Sequence, residues 1–193
     1  MFIGWSPRWT RLSPTETAEP ATVVLMERSA QRLGRALVVI VDDRAAHGEN
    51  EDTAGPLMTE LLEEAGFIVD GTVVVHADTV AIRNALNTAV IGGADLVITV
   101  GGTGVSPRDV TPDATAGVLD RPIPGIGEAL RSSGLAAGAV DAGISRGLVG
   151  VSGSTLVVNL AGSRAAVRDG MATLSGLVPF VIGELSGLEE AQA

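Results

Sequence analysis

Asp95-Leu96-Val97-Ile98-Thr99-Val100 runs straight into Gly101-Gly102-Thr103-Gly104. The first six residues are nearly all apolar, the pattern of a strand covered on both faces. The glycines that follow let the backbone come close to a ligand and turn its N–H groups inward. Open α/β sheets bind ligands beyond the carboxyl ends of their strands, where this loop falls.

Upstream the pattern repeats. Ala36-Leu37-Val38-Val39-Ile40-Val41 is another apolar run, followed by a polar loop with Asp42, Asp43, Gly48 and Asp52. Pro56 stands near a helix start; Leu57, Met58, Leu61, Leu62 and Ala65 recur at helical spacing, and Gly66 ends the helix. Phe67-Ile68-Val69 and Val73-Val74-Val75 form a strand region around Asp70-Gly71. Ile82, Ala85, Leu86, Ala89 and Val90 mark a helix stopped by Gly92-Gly93. Strand and helix thus alternate as βαβαβ. This predicts a three-layer α/β/α fold, a mostly parallel, doubly wound sheet with helices on both faces.

Downstream, Thr111-Pro112 reads as a cap and first helical residue, and Ile126–Arg131 as helical. Thr155–Leu160 reads as a strong strand. Ser163 caps a helix through Leu174, and another helix runs to about Leu188. Residues 1–34 carry three Pro, both Trp and no periodicity, so they read as an extension to a single domain over 35–193. Either Met26 is the true start or Trp5 and Trp9 belong to a docking arm.

Composition narrows the chemistry. The chain has 193 residues, 46% of them hydrophobic but only 3% aromatic, so Val, Leu, Ile and Ala build the core. Its 13 basic residues are all Arg, set against 23 acidic ones, for a net charge of −10. That argues against nucleic-acid binding, which needs a basic face. With no Lys and no Cys, a Walker-A loop, Schiff-base chemistry, thiolate catalysis and Cys-ligated metals are excluded. No stretch reads as a membrane span or signal peptide, which makes the cytoplasm the expected location.

Three loops fall at strand carboxyl ends. The first, Gly101 to Pro112, adds Thr103, Ser106, Arg108 and Asp109 to its glycines, and suits a phosphate. It is not a dinucleotide fingerprint, since Pro107 stands where the third glycine belongs. The second, Ala161-Gly162-Ser163-Arg164, is either a plain helix cap or an anion site. The third comprises Asp42-Asp43-Arg44 and His76-Ala77-Asp78. Asp78 either caps the helix from Thr79 or joins Asp109 at a cation. Carboxylates beside bound phosphates need a screening cation, and Mg²⁺ takes one or two carboxylates plus phosphate oxygens. The run Glu49-Asn50-Glu51-Asp52 reads as a solvated loop, with a lid over Mg-ATP as the alternative.

At these residues the chain resembles the MoaB/MogA-type molybdopterin adenylyltransferases. The resemblance spans roughly residues 36–186. Its most specific part is Gly101-Gly102-Thr103-Gly104 with Arg108-Asp109 and Thr111-Pro112-Asp113-Ala114-Thr115. Asp43-Arg44, Pro124-Gly125-Ile126-Gly127-Glu128, Ser145-Arg146 and Asn159-Leu160-Ala161-Gly162-Ser163 support it. The resemblance implies AMP transfer from Mg-ATP to the molybdopterin phosphate. It implies that Asp78 and Asp109 are the essential acids and hold Mg²⁺, and that Gly101, Gly102, Thr103 and Gly104 cradle nucleotide phosphate. Arg108, Ser145, Arg146, Asn159, Gly162 and Ser163 would complete the pocket, with Arg108 or Arg146 offsetting charge. A homotrimer and a molybdenum-insertase partner are implied too. The chain departs from the family at Ala161-Gly162-Ser163-Arg164, where two prolines are usual. Two rival readings remain: a nucleotide pyrophosphatase of the competence-damage type, and a non-catalytic molybdopterin- or nucleotide-binding subunit.

Overall fold

The computed structural model describes residues 32–190. The readings of Met26, Trp5 and Trp9 lie outside them. The elements follow in the order β1 (Gly34–Val41), α1 (Asp43–Ala46), α2 (Ala54–Glu64), β2 (Phe67–Val75), α3 (Thr79–Ile91) and β3 (Leu96–Val100). Then come α4 (Thr111–Ala116), β4 (Arg121–Pro122), α5 (Pro124–Ala136), a 3-10 turn (Val140–Ile144), β5 (Val149–Ser152), β6 (Thr155–Leu160) and α6 (Arg164–Glu190).

The six strands form one sheet in the order β2-β1-β3-β6-β5-β4. The first four run parallel; β5 pairs antiparallel with β6, and β4 antiparallel with β5. Alternate side chains go to opposite faces, as the pleat requires. Val38, Ile40, Ile98 and Val158 pack under α2 and α6 with Leu57, Met58, Val167 and Leu174. Val39, Val41, Val97 and Val157 pack under α3 and α4 with Ile82, Leu86 and Ala114. The expected three layers are present.

Several elements differ from expectation. The two pieces at 67–75 are one strand with a bulge: Val69 pairs with Ala36, Gly71 with Leu37, and Asp70 is skipped. The displaced Asp70 carboxylate pairs with Arg35 at 2.9 Å. The polar loop after β1 opens with the short α1, whose cap is the Asp42 carboxylate, accepting from Arg44 and Ala45 N–H. Thr111 is no cap. It is the first residue of α4, and its hydroxyl donates back to the Gly101 carbonyl at 2.8 Å.

The two C-terminal helices are one. Val167, Met171, Leu174, Val178, Ile182 and Leu185 keep a buried stripe across Ser175-Gly176 and Pro179. That continuous packing outweighs the proline's missing hydrogen bond. By length and composition Arg164–Gly187 is also sufficient to cross a membrane. The stripe packs on the sheet as a core helix does.

Candidate active site

Parallel strands β2, β1, β3 and β6 release their loops at one edge of the sheet. The structure therefore brings Asp78, Asp43, the glycine loop and Gly162-Ser163 to that edge. Gly101 has φ +107° and Gly102 φ +63°, conformations that suit glycine. Gly101 N–H donates to the Leu160 carbonyl at 2.9 Å, which ties the loop to β6. Gly162 sits directly against it: a Cβ there would lie 3.3 Å from Gly101 Cα.

Beyond Gly101, the N–H groups of Gly102, Thr103, Gly104 and Val105 find no acceptor among the described residues. Four successive donors form a cradle of the kind that takes an anion. The loop closes in a tight turn. Asp109 N–H donates to the Ser106 carbonyl at 2.9 Å, and Ser106 N–H donates to Asp109 Oδ2 at 2.7 Å. Gly104 leaves room for that carboxylate, since a Cβ there would stand 2.8 Å from Asp109 Oδ2.

Asp78 caps α3. Its Oδ1 accepts from Val80 N–H at 3.0 Å and Ala81 N–H at 2.9 Å. Capping leaves Oδ2 outside these bonds, as the turn leaves Oδ1 of Asp109. Each acid so keeps one oxygen of the type Mg²⁺ takes, and phosphate oxygens would supply the rest. Among the described residues, no group of three or more His, Cys, Asp or Glu side chains is placed to hold a metal ion.

Both site arginines are engaged. Arg108 binds the Asp43 carboxylate through Nε at 2.9 Å and through Nη2. This bond, with the Ala77 N–H bond, holds the Asp43 carboxyl below the usual carboxylate range. Asp43 in turn raises Arg108, and the nearby carboxylate of Asp78 adds to the effect. A depressed carboxylate keeps its partner above its ordinary value near 3.8 and loses it as pH falls through the lower folded value. The pair is therefore intact at neutral pH. Arg146 is a brace: Nε donates to the Gly104 carbonyl at 2.8 Å, Nη2 to the Asp109 carbonyl, and both terminal nitrogens reach Asp113. Its own N–H donates to the Thr103 carbonyl at 2.8 Å. Sequence reasoning offered it as a charge-offsetting group; here it fastens the loop.

Asn159 stands on the wall of a cleft described below. It is 3% exposed, and its amide is used internally. Nδ2 donates to the Thr99 and Thr115 hydroxyls at 2.8 and 3.0 Å, and Oδ1 accepts from Leu148 N–H at 3.0 Å. It joins β6 to β3, α4 and the lead into β5. Asn159→Leu would strip three buried partners at once, an expected loss of about 2–4 kcal/mol in denaturant unfolding. A loss below about 1 kcal/mol would show that the amide is no strut.

Ser163 caps α6, its hydroxyl accepting from Ala166 N–H at 3.1 Å. Arg164 reaches the Thr53 carbonyl at 3.4 Å. A cleft of about 120 Å³ lies between α5, the 3-10 turn and the start of α6; Arg131, Asp141, Ser145, Asn159, Ser163 and Asp169 line it. A hollow of about 190 Å³ has Asp42, Glu51, Asp52, Gly101 and Gly162 on its wall. Sequence reasoning placed Asp43 in the third candidate loop and in a motif of the resemblance but gave it no chemical task, and it did not offer Arg131, Asp141 or Asp169 as site residues. Their signal was place: Asp43 stands at the carboxyl end of the strand next to β3.

Fold and loop placement define the class: a doubly wound α/β domain with a glycine-loop site at the carboxyl edge of its sheet. The chain belongs to the probable molybdopterin binding domain family, whose model matches residues 37–180. It is 36% identical over 154 residues to a molybdenum cofactor biosynthesis bifunctional protein of Synechococcus elongatus, covering 80% of this chain and 48% of that one. The chain thus spans about half the length of that relative. It is 32% identical over 149 residues to a molybdopterin adenylyltransferase of Pyrococcus furiosus, covering 75% of this chain and 87% of that one. The crystal structure of a molybdopterin biosynthesis protein from Mycobacterium abscessus superposes with TM-score 0.79 at 68% identity. It covers 81% of this chain and 99% of that chain.

Proposed function

We propose that this chain is a molybdopterin adenylyltransferase of molybdenum cofactor biosynthesis. The observation that carries the reading is the cradle: four N–H groups, Gly102 to Val105, without an acceptor among the described residues, beside Asp109 at the edge that also holds Asp78. The name of the Pyrococcus furiosus relative supports it. In this reading the molybdopterin phosphate attacks the α-phosphorus of ATP. A P–O bond forms there, the bond to the β-phosphate bridge breaks, and pyrophosphate leaves.

A phosphate monoester is already anionic at neutral pH, so no general base is required. The chain needs to position and to neutralise. The cradle N–H groups hold nucleotide phosphate oxygens and stabilise charge as it grows on them. The cleft at Ser145 and Ser163 receives the pterin. Asp78 and Asp109 would hold Mg²⁺, which when bound supplies charge neutralisation on the triphosphate. In-line positioning alone is worth on the order of 7–11 kcal/mol of barrier. The same reading includes a homotrimer, a cytoplasmic location and a molybdenum-insertase partner.

The test is pyrophosphate release by the purified chain with ATP and molybdopterin, with and without Mg²⁺. Release is expected only with both substrates, and to fall when Mg²⁺ is omitted. Release from nucleotide alone would make the chain a pyrophosphatase of the competence-damage type. No release would make it a binding subunit.

A further inference from the structure

We propose that Asp43 is a positioning residue that sets the placement of Asp78 against Asp109, by binding the loops of both acids at once. The inference rests on the adenylyltransferase reading and adds a residue to it. Asp43 Oδ1 accepts from Ala77 N–H at 2.9 Å, one residue before Asp78. Asp43 Oδ2 accepts from Arg108, one residue before Asp109. A single carboxylate thus spans the ends of β2 and β3 from the end of β1 between them.

Asp43 is itself held from several sides. The Asp42 cap fixes the start of α1, and Asp42 N–H donates to the Val75 carbonyl at 3.2 Å. His47 Nδ1 lies 2.6 Å from the Asp43 carbonyl oxygen, and its ring stands 4.6 Å from that of His76. On the acid side, Asp78 N–H donates to the His76 carbonyl at 2.7 Å, which keeps the 76–78 turn tight. On the other side Arg146 anchors the Asp109 carbonyl. Each acid loop is therefore bonded within itself, and Asp43 joins the two. Groups that orient metal-binding acids change metal affinity or activity by about ten- to a hundredfold when removed.

The experiment compares wild type, Asp43→Asn, Arg108→Gln and the double variant in the full chain. Asp43→Asn keeps the shape and one acceptor but not the charge. For pyrophosphate release, the Mg²⁺ concentration at half-saturation is expected to rise about tenfold or more in Asp43→Asn. The double variant is expected to match the worse single variant within about twofold, because both remove one bond. A purely structural role would lower the melting temperature and leave Mg²⁺ half-saturation unmoved.

Amide exchange supplies a readout free of turnover. Arg108→Gln is expected to speed exchange at residues 77–81, on the far side of the tie, and Asp43→Asn to do the same. Because Arg108 is exposed, its variant remains usable if Asp43→Asn fails to fold. Unchanged exchange at 77–81 in Arg108→Gln, or Mg²⁺ half-saturation unchanged in a folded variant, overturns the proposal. A wild-type chain silent toward ATP and molybdopterin overturns the adenylyltransferase reading instead, and the exchange arm still decides whether the tie exists.

Discussion

Asp78→Asn is expected to melt where the wild type does and to release pyrophosphate at least about a hundredfold more slowly. The two halves of that result come from different atoms. The cap on α3 uses Oδ1, which accepts from Val80 and Ala81 N–H. Asparagine caps as well as aspartate, so the helix start survives. What asparagine lacks is the negative charge that a divalent cation requires. Asp78→Ala removes both, and should lose about 0.5–2 kcal/mol of stability besides. Asp109→Asn is the matching case at the other loop: the Ser106 turn keeps its backbone bond at 2.9 Å, and Arg146 still holds the Asp109 carbonyl. Turnover should again fall about a hundredfold or more while the unfolding midpoint stays put. Steady-state pyrophosphate release and thermal unfolding on the same samples check this. If Asp78→Asn turns over within about tenfold of wild type, Asp78 is a helix cap and nothing more.

The dual use of Asp78 shows what a sequence can and cannot carry. Its position after an apolar strand and before a helical pattern reveals the cap, because capping is a local bond. β1, β3, α2 and α3 are legible for the same reason: apolar runs and helical spacing report burial residue by residue. β4 and β5 are not. Arg121-Pro122 and Val149-Gly150-Val151-Ser152 are too short to show a period, and they are strands only because β5 turns back on β6 through Gly153-Ser154. The Asp43–Arg108 pair joins residues 65 apart in the chain, so only the strand order reveals it. Arg146 is harder still, since most of its partners are backbone carbonyls, which every residue has. Asn159, a polar residue inside an apolar strand, was a pocket residue only by the family resemblance. Its signal was ambiguous, for a buried amide satisfied by neighbours looks the same in sequence as one that faces a pocket.

Gly101→Ala is the substitution expected to damage fold and site together. At φ +107° an L-residue is strained whatever the space around it, by about 1–3 kcal/mol. Here there is also no space: the added Cβ would stand 2.5 Å from the Val41 carbonyl oxygen. Val41 ends β1, a strand paired on both sides, and Gly101 N–H is bonded to Leu160 of β6. Neither neighbour can retreat without breaking sheet hydrogen bonds, so overpacking adds about 1–3 kcal/mol more. A domain of ordinary stability, about 5–15 kcal/mol, loses a large share of it. The displaced loop would also move the Gly102–Val105 donors. Gly104→Ala separates the two effects. Its backbone has no positive φ, and the nearest atoms its Cβ would meet belong to the Asp109 carboxylate, at 2.8 Å. That variant should keep its denaturant midpoint and lose turnover as the acid is pushed aside. Denaturant unfolding and pyrophosphate release on the pair decide the matter. An unshifted midpoint in Gly101→Ala would mean that the loop does not need its glycine there, and that β1 and β6 do not hold the cradle.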